Sequence, residues 1–175
     1  MRPLLELCLL RRAPQDLPYS PAAVVLVVVA LLAVQLGFAH HVGESQAALS
    51  ARLMVTLVIL LGITPALLEW RGLGNRIAQA LLALAGSSLV FSLVNLPLVL
   101  KLQPHLGDKD PPASLAGYVL VGVFLFVWKL RVDAMVWRHS LDIPRVPAYA
   151  LTVVLVILEP VLLFLIGPVP VPAAP

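Results

Sequence analysis

The stretch WKLRVDAMVWRHSLDIPR, residues 128–145, decides how the rest of the chain is interpreted. It mixes charged and apolar residues closely, and long apolar runs lie on both sides of it. A basic segment between two apolar runs is typical of a loop that anchors the topology of a membrane protein. We therefore predict that this stretch faces the cytoplasm, between a helix that enters it and a helix that leaves it. Its basic residues are Lys129, Arg131, Arg138 and Arg145.

The composition of the chain identifies a membrane protein. Of its 175 residues, 61% are hydrophobic and 12% are charged, whereas a soluble domain is about half apolar and about a quarter charged. One soluble core cannot hide this surplus, so lipid must be the solvent for much of the surface. The net charge of +3 follows from basic residues that gather on the cytoplasmic side of a membrane. Because the sequence has no platform of aromatic and basic residues, it predicts no nucleic-acid partner.

Five apolar segments follow one another, with short polar or proline-containing connections between them. This layout predicts an all-α, polytopic transmembrane helical bundle, with spans at about residues 21–39, 47–68, 77–100, 114–127 and 148–167. Residues 1–20 form a short cytoplasmic leader whose leucines suit a membrane interface. Residues 21–167 form the single transmembrane domain, and residues 168–175 form an extended, proline-rich tail. Pro65 is expected to kink the second span or to end it early.

The distribution of Lys and Arg predicts the orientation of the bundle. If the N-terminus lies inside, nine of the 12 basic residues fall in inner segments, which is a positive-inside bias. The C-terminus is then outside. A composition this rich in Ala, Leu, Val, Pro and Arg suits a bacterial genome rich in G and C, so the expected location is the cytoplasmic (inner) membrane of a bacterium. The outer set is Arg52, Lys101 and Lys109, and the inner set is Arg2, Arg11, Arg12, Arg71, Arg76 and the four basic residues of 128–145.

Glu159 is the sharpest candidate for chemistry, because it lies near the middle of the fifth predicted span. An ionisable group at that depth costs at least about 2–3 kcal/mol on insertion scales, so it should face the bundle interior and have a partner. Arg52, Gln35 and Ser92 are expected near the same depth, and Pro160 frees the carbonyl four residues before it. Two interpretations stay open. One is a proton or solute relay built on Glu159 and Arg52, and the other is a structural bond between helices.

Ser88, Ser92 and Asn95 recur at helical spacing in the third predicted span, so they share one helical face. Small polar residues in lipid usually bond across helices. A structural role in helix packing and a place in a transport pathway are both consistent with this pattern.

A further set of polar residues lies on the predicted outer face. Imidazoles and carboxylates are ligands for metal ions and haem, but no two-histidine helical motif such as HExxH is present. Polar caps at the membrane surface explain the same residues without a ligand, so no cofactor is predicted. The set is His40, His41, Glu44, His105, Asp108 and Asp110.

Within residues 128–145, Lys129 and Asp133 are spaced i, i+4. This spacing predicts that the fourth helix continues past the membrane surface as a charged stub. With Arg131, Arg138 and Arg145 nearby, the stub offers a basic cytoplasmic face for anionic headgroups or for a soluble partner. A role in setting topology alone is the alternative.

The layout of the chain resembles that of the Yip1-type membrane proteins, including their small bacterial members. The resemblance rests on five closely spaced helices after a short leader, on RRAPQDLPYSPAA before the first span and on WRHSLDIP before the last. It covers most of the chain and implies an integral membrane protein. It carries over no functional residue.

The sequence as a whole predicts a non-enzymatic accessory, scaffold or assembly subunit that acts through helix packing and its basic cytoplasmic face. Nucleophile motifs such as GxSxG and phosphate-binding glycine loops are absent from the sequence. The expected partners are the lipid bilayer and either other membrane proteins or further copies of the chain. The alternatives are a small transporter or channel component that uses Glu159 and Arg52, and a metal- or haem-binding protein that uses the outer histidines.

Overall fold

The computed structural model describes residues 2–105 and 112–166. Every regular element in these two ranges is helical, which confirms the predicted all-α class. Short 3-10 turns lie between several of the helices. The α-helices are α1 (Arg2–Cys8), α2 (Pro21–Val42), α3 (Gln46–Leu57), α4 (Thr64–Trp70), α5 (Ile77–Leu102), α6 (Ala116–Leu141) and α7 (Arg145–Ile166).

Helices α3 and α4 form one continuous rod through a π-helical turn at Val58–Ile63. Pro65 follows this turn and supplies no N–H to the carbonyl of Leu61. The Thr64 hydroxyl donates to the carbonyl of Ile59 at 3.0 Å, which satisfies one acceptor of the widened turn. Pro65 therefore does not end the second span. The π turn accommodates the proline, and the helix continues to Trp70.

Five long rods are arranged as a ring. Helix α2 contacts α5, α5 contacts α6, α6 contacts α7, α7 contacts α3, and α3 contacts α2. The connection between α2 and α3 is a tight turn in which Gly43 has a positive φ of 70°, a conformation that glycine adopts at little cost. Ser45 then caps α3 by accepting from the amide of Ala48 at 3.2 Å. Short connections of this kind make chain neighbours antiparallel.

Four of the described rods are long and apolar enough to cross a membrane: Pro21–Val42, Gln46–Trp70, Gly74–His105 and Arg145–Ile166. The chain is therefore typical of a multi-pass membrane protein, as its composition predicts. Helix α6 has 26 residues, like α5, but its second half carries charged residues and it does not belong to that set.

Residues 128–141 differ most from their predicted arrangement. The helix does continue beyond residue 127, as the i, i+4 spacing predicts, and α6 runs unbroken to Leu141. It continues alongside α5, however, and not past its end. The Asp133 carboxylate lies 3.4 Å from the hydroxyl of Ser87, which is about 15 Å along α5 at 1.5 Å per residue. The middle of the stretch is therefore part of the bundle.

The leader is also part of the bundle. Helix α1 and the turn at Pro14–Asp16 contact both α5 and α6. Leu7 is fully buried, and Leu4 packs over Gly86 of α5, where a β-carbon would come within 2.6 Å of the Leu4 side chain. Trp128 Nε1 donates to the carbonyl of Cys8 at 2.9 Å. We call the end of the ring at which α2, α5 and α7 begin the leader end. The opposite end, with the Gly43 turn and residues 103–105, is the loop end.

Candidate functional site

The ring of helices surrounds a partly open cavity of about 390 Å³, whose mainly apolar lining includes nine polar or charged side chains. All five rods contribute to its wall, with α3 and the π turn counted as one rod. Cavities of this size hold small molecules in many proteins. A polar wall is expensive in a helical membrane protein, so its residues are candidates for function. The polar and charged lining residues are Gln35, Thr56, Ser88, Ser92, Asn95, Lys129, Asp133, Thr152 and Glu159.

Helix α5 brings three of these side chains to the cavity from one face. Ser88, Ser92 and Asn95 all line it, as expected from their spacing of four and three residues. The Asn95 side-chain oxygen is buried and has no hydrogen-bond donor among the described residues. The polar face of α5 therefore lines the cavity and does not serve only as a contact between helices.

Gln35 of α2 also lines the cavity and contacts α3. Its Nε2 atom donates to the hydroxyl of Thr56 at 3.4 Å. Its Oε1 atom is buried and, within the part of the chain that the structure describes, accepts from no donor. Gln35 and Asn95 thus present two buried acceptors without donors, and such groups cost about 1–3 kcal/mol each when left unpaired.

An ion pair on α6 lies in the cavity wall. Lys129 Nζ is 2.6 Å from Asp133 Oδ1, and the two side chains are only 22% and 15% exposed. Opposite charges in contact offset much of the cost of burying either of them. Lys129, predicted as part of the basic cytoplasmic face, is therefore separated from the other three basic residues of 128–145.

Those three residues occupy different positions. Arg131 and Arg145 are exposed and Arg138 is half-buried. Arg131 is two residues from Lys129, so it points away from the cavity side of α6. Arg138 and Arg145 lie near the leader end, on either side of the turn between α6 and α7. Of the predicted basic face, only Arg138 and Arg145 thus lie at this end, while Arg131 lies farther along the outer face of α6.

Glu159 lines the cavity from α7, the least buried of the four apolar rods. Its side chain is exposed at the edge of the ring. Among residues 2–105 and 112–166 it has no hydrogen-bond or ion-pair partner. Pro160 cannot donate to the carbonyl of Val156, which also lines the cavity. Glu159 is therefore a carboxyl group at the cavity without a protein countercharge.

Arg52 pairs with a different carboxylate from the one considered at the sequence level. Its Nη2 atom is 2.7 Å from Glu44 Oε2 and donates to the carbonyl of Gln35 at 3.3 Å. The guanidinium also lies 5.9 Å from the ring centre of Phe38. These contacts hold Arg52 at the loop end, beside the cavity wall but bonded to Glu44, so a direct Arg52–Glu159 pair is not formed.

The outer histidines do not form a metal centre in the described ranges. No group of three His, Cys, Asp or Glu residues between 2 and 105 or between 112 and 166 could hold a metal ion. His40 and His41 are exposed at the end of α2, and Glu44 is engaged by Arg52. Asp108 and Asp110, which the metal hypothesis also used, lie outside the described residues.

Sequence reasoning missed the position of Lys129 and Asp133 in the cavity wall. A signal was present, because the fourth predicted span, residues 114–127, is only about 21 Å long as a helix. The hydrocarbon core of a bilayer is about 30 Å thick, so a span on α6 must include Lys129 and its neighbours. Once these residues are included in the span, Lys129 and Asp133 both lie within it, and each charge needs the other as a partner there.

No protein-family model, curated protein or solved structure matches this chain. Its function must therefore be inferred from the residues that line the cavity.

Proposed function

We propose that the protein is a small membrane transport component, in which the ring of helices binds a polar solute and lets it pass. The observation that carries this proposal is the cavity, since every one of the five rods contributes a polar side chain to it. Ionisable residues inside a membrane bundle commonly mark solute and ion pathways, and Lys129, Asp133 and Glu159 line this cavity.

This proposal treats α6 as a fifth span. At 26 residues the helix is about 39 Å long, which is enough to cross a bilayer. The Lys129–Asp133 ion pair reduces the cost of placing its charged half at membrane depth. The leader end then faces the cytoplasm, because most of the arginines near the helix ends belong to it. They are Arg11, Arg12, Arg71, Arg76, Arg138 and Arg145.

Each end of the ring holds polar contacts outside the cavity lining, which we propose as the two closures of the pathway. At the loop end, the ion pair between Arg52 and Glu44 joins α3 to the turn after α2. At the leader end, Gln79 donates to the carbonyls of Gln15 and Leu17, at 3.2 and 3.1 Å, which ties the leader to α5. A central site with a separable closure on either side is the arrangement that a gated pathway requires. Opening either closure breaks only a few polar contacts.

An accessory or assembly role, without catalysis, is the second candidate. The outer faces of α6 and α7 are strongly apolar and exposed, with Leu120 at 70% and Phe164 at 86%. Lipid covers such a surface in a membrane, and so does a neighbouring subunit or a second copy of this chain. A unit of 175 residues is small for a carrier, which favours an oligomer in either case. A bacterial cytoplasmic membrane remains the proposed location.

Solute entry into proteoliposomes tests the transport proposal. Light scattering after an osmotic step should show that at least one small polar solute enters faster than into protein-free vesicles. Glu159→Gln should reduce that rate by about tenfold or more, equivalent to about 1.4 kcal/mol. Glu69→Gln is the matched control, since Glu69 is an exposed carboxylate of α4 outside the cavity lining.

Two results would count against this function. One is a permeability equal to that of empty vesicles for amines, amino acids, sugars and inorganic ions alike. The other is the same loss of flux in Glu159→Gln and Glu69→Gln. Copurification of a stoichiometric membrane partner, together with vesicles that stay impermeable, would favour the accessory role.

A further inference from the structure

Two buried side-chain oxygens of the cavity lining have no donor, and the one buried unpaired donor of the described residues, Arg52 Nε, belongs to a side chain outside the lining. Gln35 Oε1 and Asn95 Oδ1 are buried without a donor in residues 2–105 and 112–166, and Glu159 is unpaired in the same ranges. The carbonyl of Val156 lacks its helical donor because Pro160 has no N–H. A protein that keeps several such acceptors around one cavity is suited to a ligand that supplies donors.

These acceptors lie at a similar height in the ring. Helices α2 and α7 both start at the leader end, and Gln35 and Glu159 are each about fourteen residues, or about 21 Å, from their helix starts. Asn95 is about one turn farther along α5. The acceptors therefore form one group toward the loop end of the cavity, while the Lys129–Asp133 pair lies closer to the leader end.

The charges of the cavity favour a cation. Lys129 is neutralised by Asp133, and the nearest other cation, Arg52, is neutralised by Glu44 at the loop end. Glu159 is then the one lining charge without a countercharge in the described part of the chain. An anionic ligand would meet this carboxylate and acceptor oxygens, whereas a ligand with a single positive charge balances it.

The rest of the wall favours an apolar body on that cation. The lining between the polar groups is made of large hydrocarbon side chains, and the cavity volume of about 390 Å³ exceeds what a bare ion fills. A ligand with a short hydrocarbon portion removes apolar surface from water at this wall. The apolar lining residues include Leu31, Ile59, Phe91, Leu125, Phe126 and Leu155.

We propose that the cavity binds a small primary amine in its ammonium form, with its N–H groups donated to Glu159, Gln35 Oε1 and Asn95 Oδ1 and its hydrocarbon portion against the apolar wall. This inference rests on the proposed function, because it names the class of solute for the same cavity. It requires both positive charge and N–H donors, and these two requirements can be tested separately.

The test uses the purified full-length protein in detergent, in phosphate buffer at constant ionic strength. The probe is n-butylammonium. It is compared with n-butanol, which has no charge, with butyrate, which has a negative charge, and with tetramethylammonium, which has a positive charge but no N–H donors. Thermal unfolding and isothermal titration calorimetry measure binding. Only n-butylammonium should raise Tm and give a binding isotherm.

Variants locate the site. Glu159→Gln and Asn95→Leu should each weaken n-butylammonium binding by about tenfold or more, and Glu69→Gln should leave it unchanged. Asn95→Leu removes an unpaired acceptor, so the ligand-free Tm should stay the same or rise. That readout separates a lost ligand contact from a misfolded protein.

Several results would overturn the amine assignment. Butyrate binding that depends on Lys129, equal binding of n-butanol, or a Glu159-dependent Tm increase with NaCl alone would each show a different ligand, and each leaves a transport role intact. Binding of n-butylammonium without entry of any solute into proteoliposomes would support the amine site and overturn transport. No binding of any probe and no solute entry would overturn both.

Discussion

The Lys129–Asp133 ion pair leads to a specific prediction about stability. Removing either side chain leaves the charge of the other without a partner. Lys129→Met leaves the Asp133 carboxylate, which is 15% exposed, and Asp133→Val leaves the Lys129 ammonium, which is 22% exposed. Removing one partner of a buried pair costs about 3–5 kcal/mol. Because some exposure remains here, we expect each single variant to lose about 3 kcal/mol.

The double variant should recover most of this loss. Lys129→Met with Asp133→Val replaces the pair by apolar side chains of similar size, a change that is often close to neutral. We expect a cost of about 1 kcal/mol or less, and a coupling free energy of at least about 2 kcal/mol in the double-mutant cycle. Unfolding in mixed micelles with increasing SDS, followed by circular dichroism, measures each free energy.

Arg131→Met is the matched control for this cycle. Arg131 is an exposed cation two residues away on the outer face of α6, so its replacement should change the free energy of unfolding by about 0.5 kcal/mol or less. If the double variant instead loses the sum of the two single losses, Lys129 and Asp133 do not interact. The reasoning about a neutralised pair in the cavity wall would then be refuted.

The leader provides two further predictions. Gly86→Ala places a methyl group 2.6 Å from the Leu4 side chain and should cost about 1–2 kcal/mol by overpacking. Combining it with Leu4→Ala should cost less than the sum of the two single changes in the SDS titration, whereas additive losses would show that the leader does not pack there. Burial raises the pKa of the Cys8 thiol to about 11 from 9.0, because desolvation favours its neutral form. At pH 8 the thiolate fraction is about a hundredfold lower, so maleimide labelling of the folded protein should be slower by about that factor than after unfolding in SDS, and equal rates would contradict the burial of Cys8.

The same burial makes Cys8 a poor site for covalent modification. Cys8 is 6% exposed and its carbonyl accepts from Trp128. A raised pKa lowers the nucleophilicity available at neutral pH. Cys8 therefore serves as a packing residue between the leader and α6, and Leu4 and Leu7 beside it belong to the hydrophobic core, whereas Leu5 and Leu9 are exposed.

Much of the candidate site could be predicted from local pattern. The spacing of Ser88, Ser92 and Asn95 placed them on one face, and the depth of Glu159 marked it as a residue that should face the interior. All four line the cavity, but the Glu159 side chain is exposed at the edge of the ring and lacks the partner that its depth predicted, among residues 2–105 and 112–166. The pairing of Arg52 could not be predicted this way, since depth along a helix does not say which neighbour lies across the gap. Glu44 is in a turn only eight residues before Arg52, and the turn brings it within 2.7 Å.

The sequence by itself determined the class of molecule: long apolar runs in a chain with few charges can be stable only as helices in lipid, because backbone groups there must bond within the segment. It also determined where four of the five rods begin and end to within a few residues, through its prolines, glycines and charged turns, but not where α6 ends, which is at Leu141 and not near residue 127. Only the tertiary structure decided what the stretch at residues 128–145 does. Whether a charge next to an apolar run lies outside the bundle or inside it depends on the helix packed beside it. Here α5 runs alongside, with Ser87 next to Asp133. Lys129 and Asp133 therefore lie in the wall of the cavity and not on a helical stub outside the bundle.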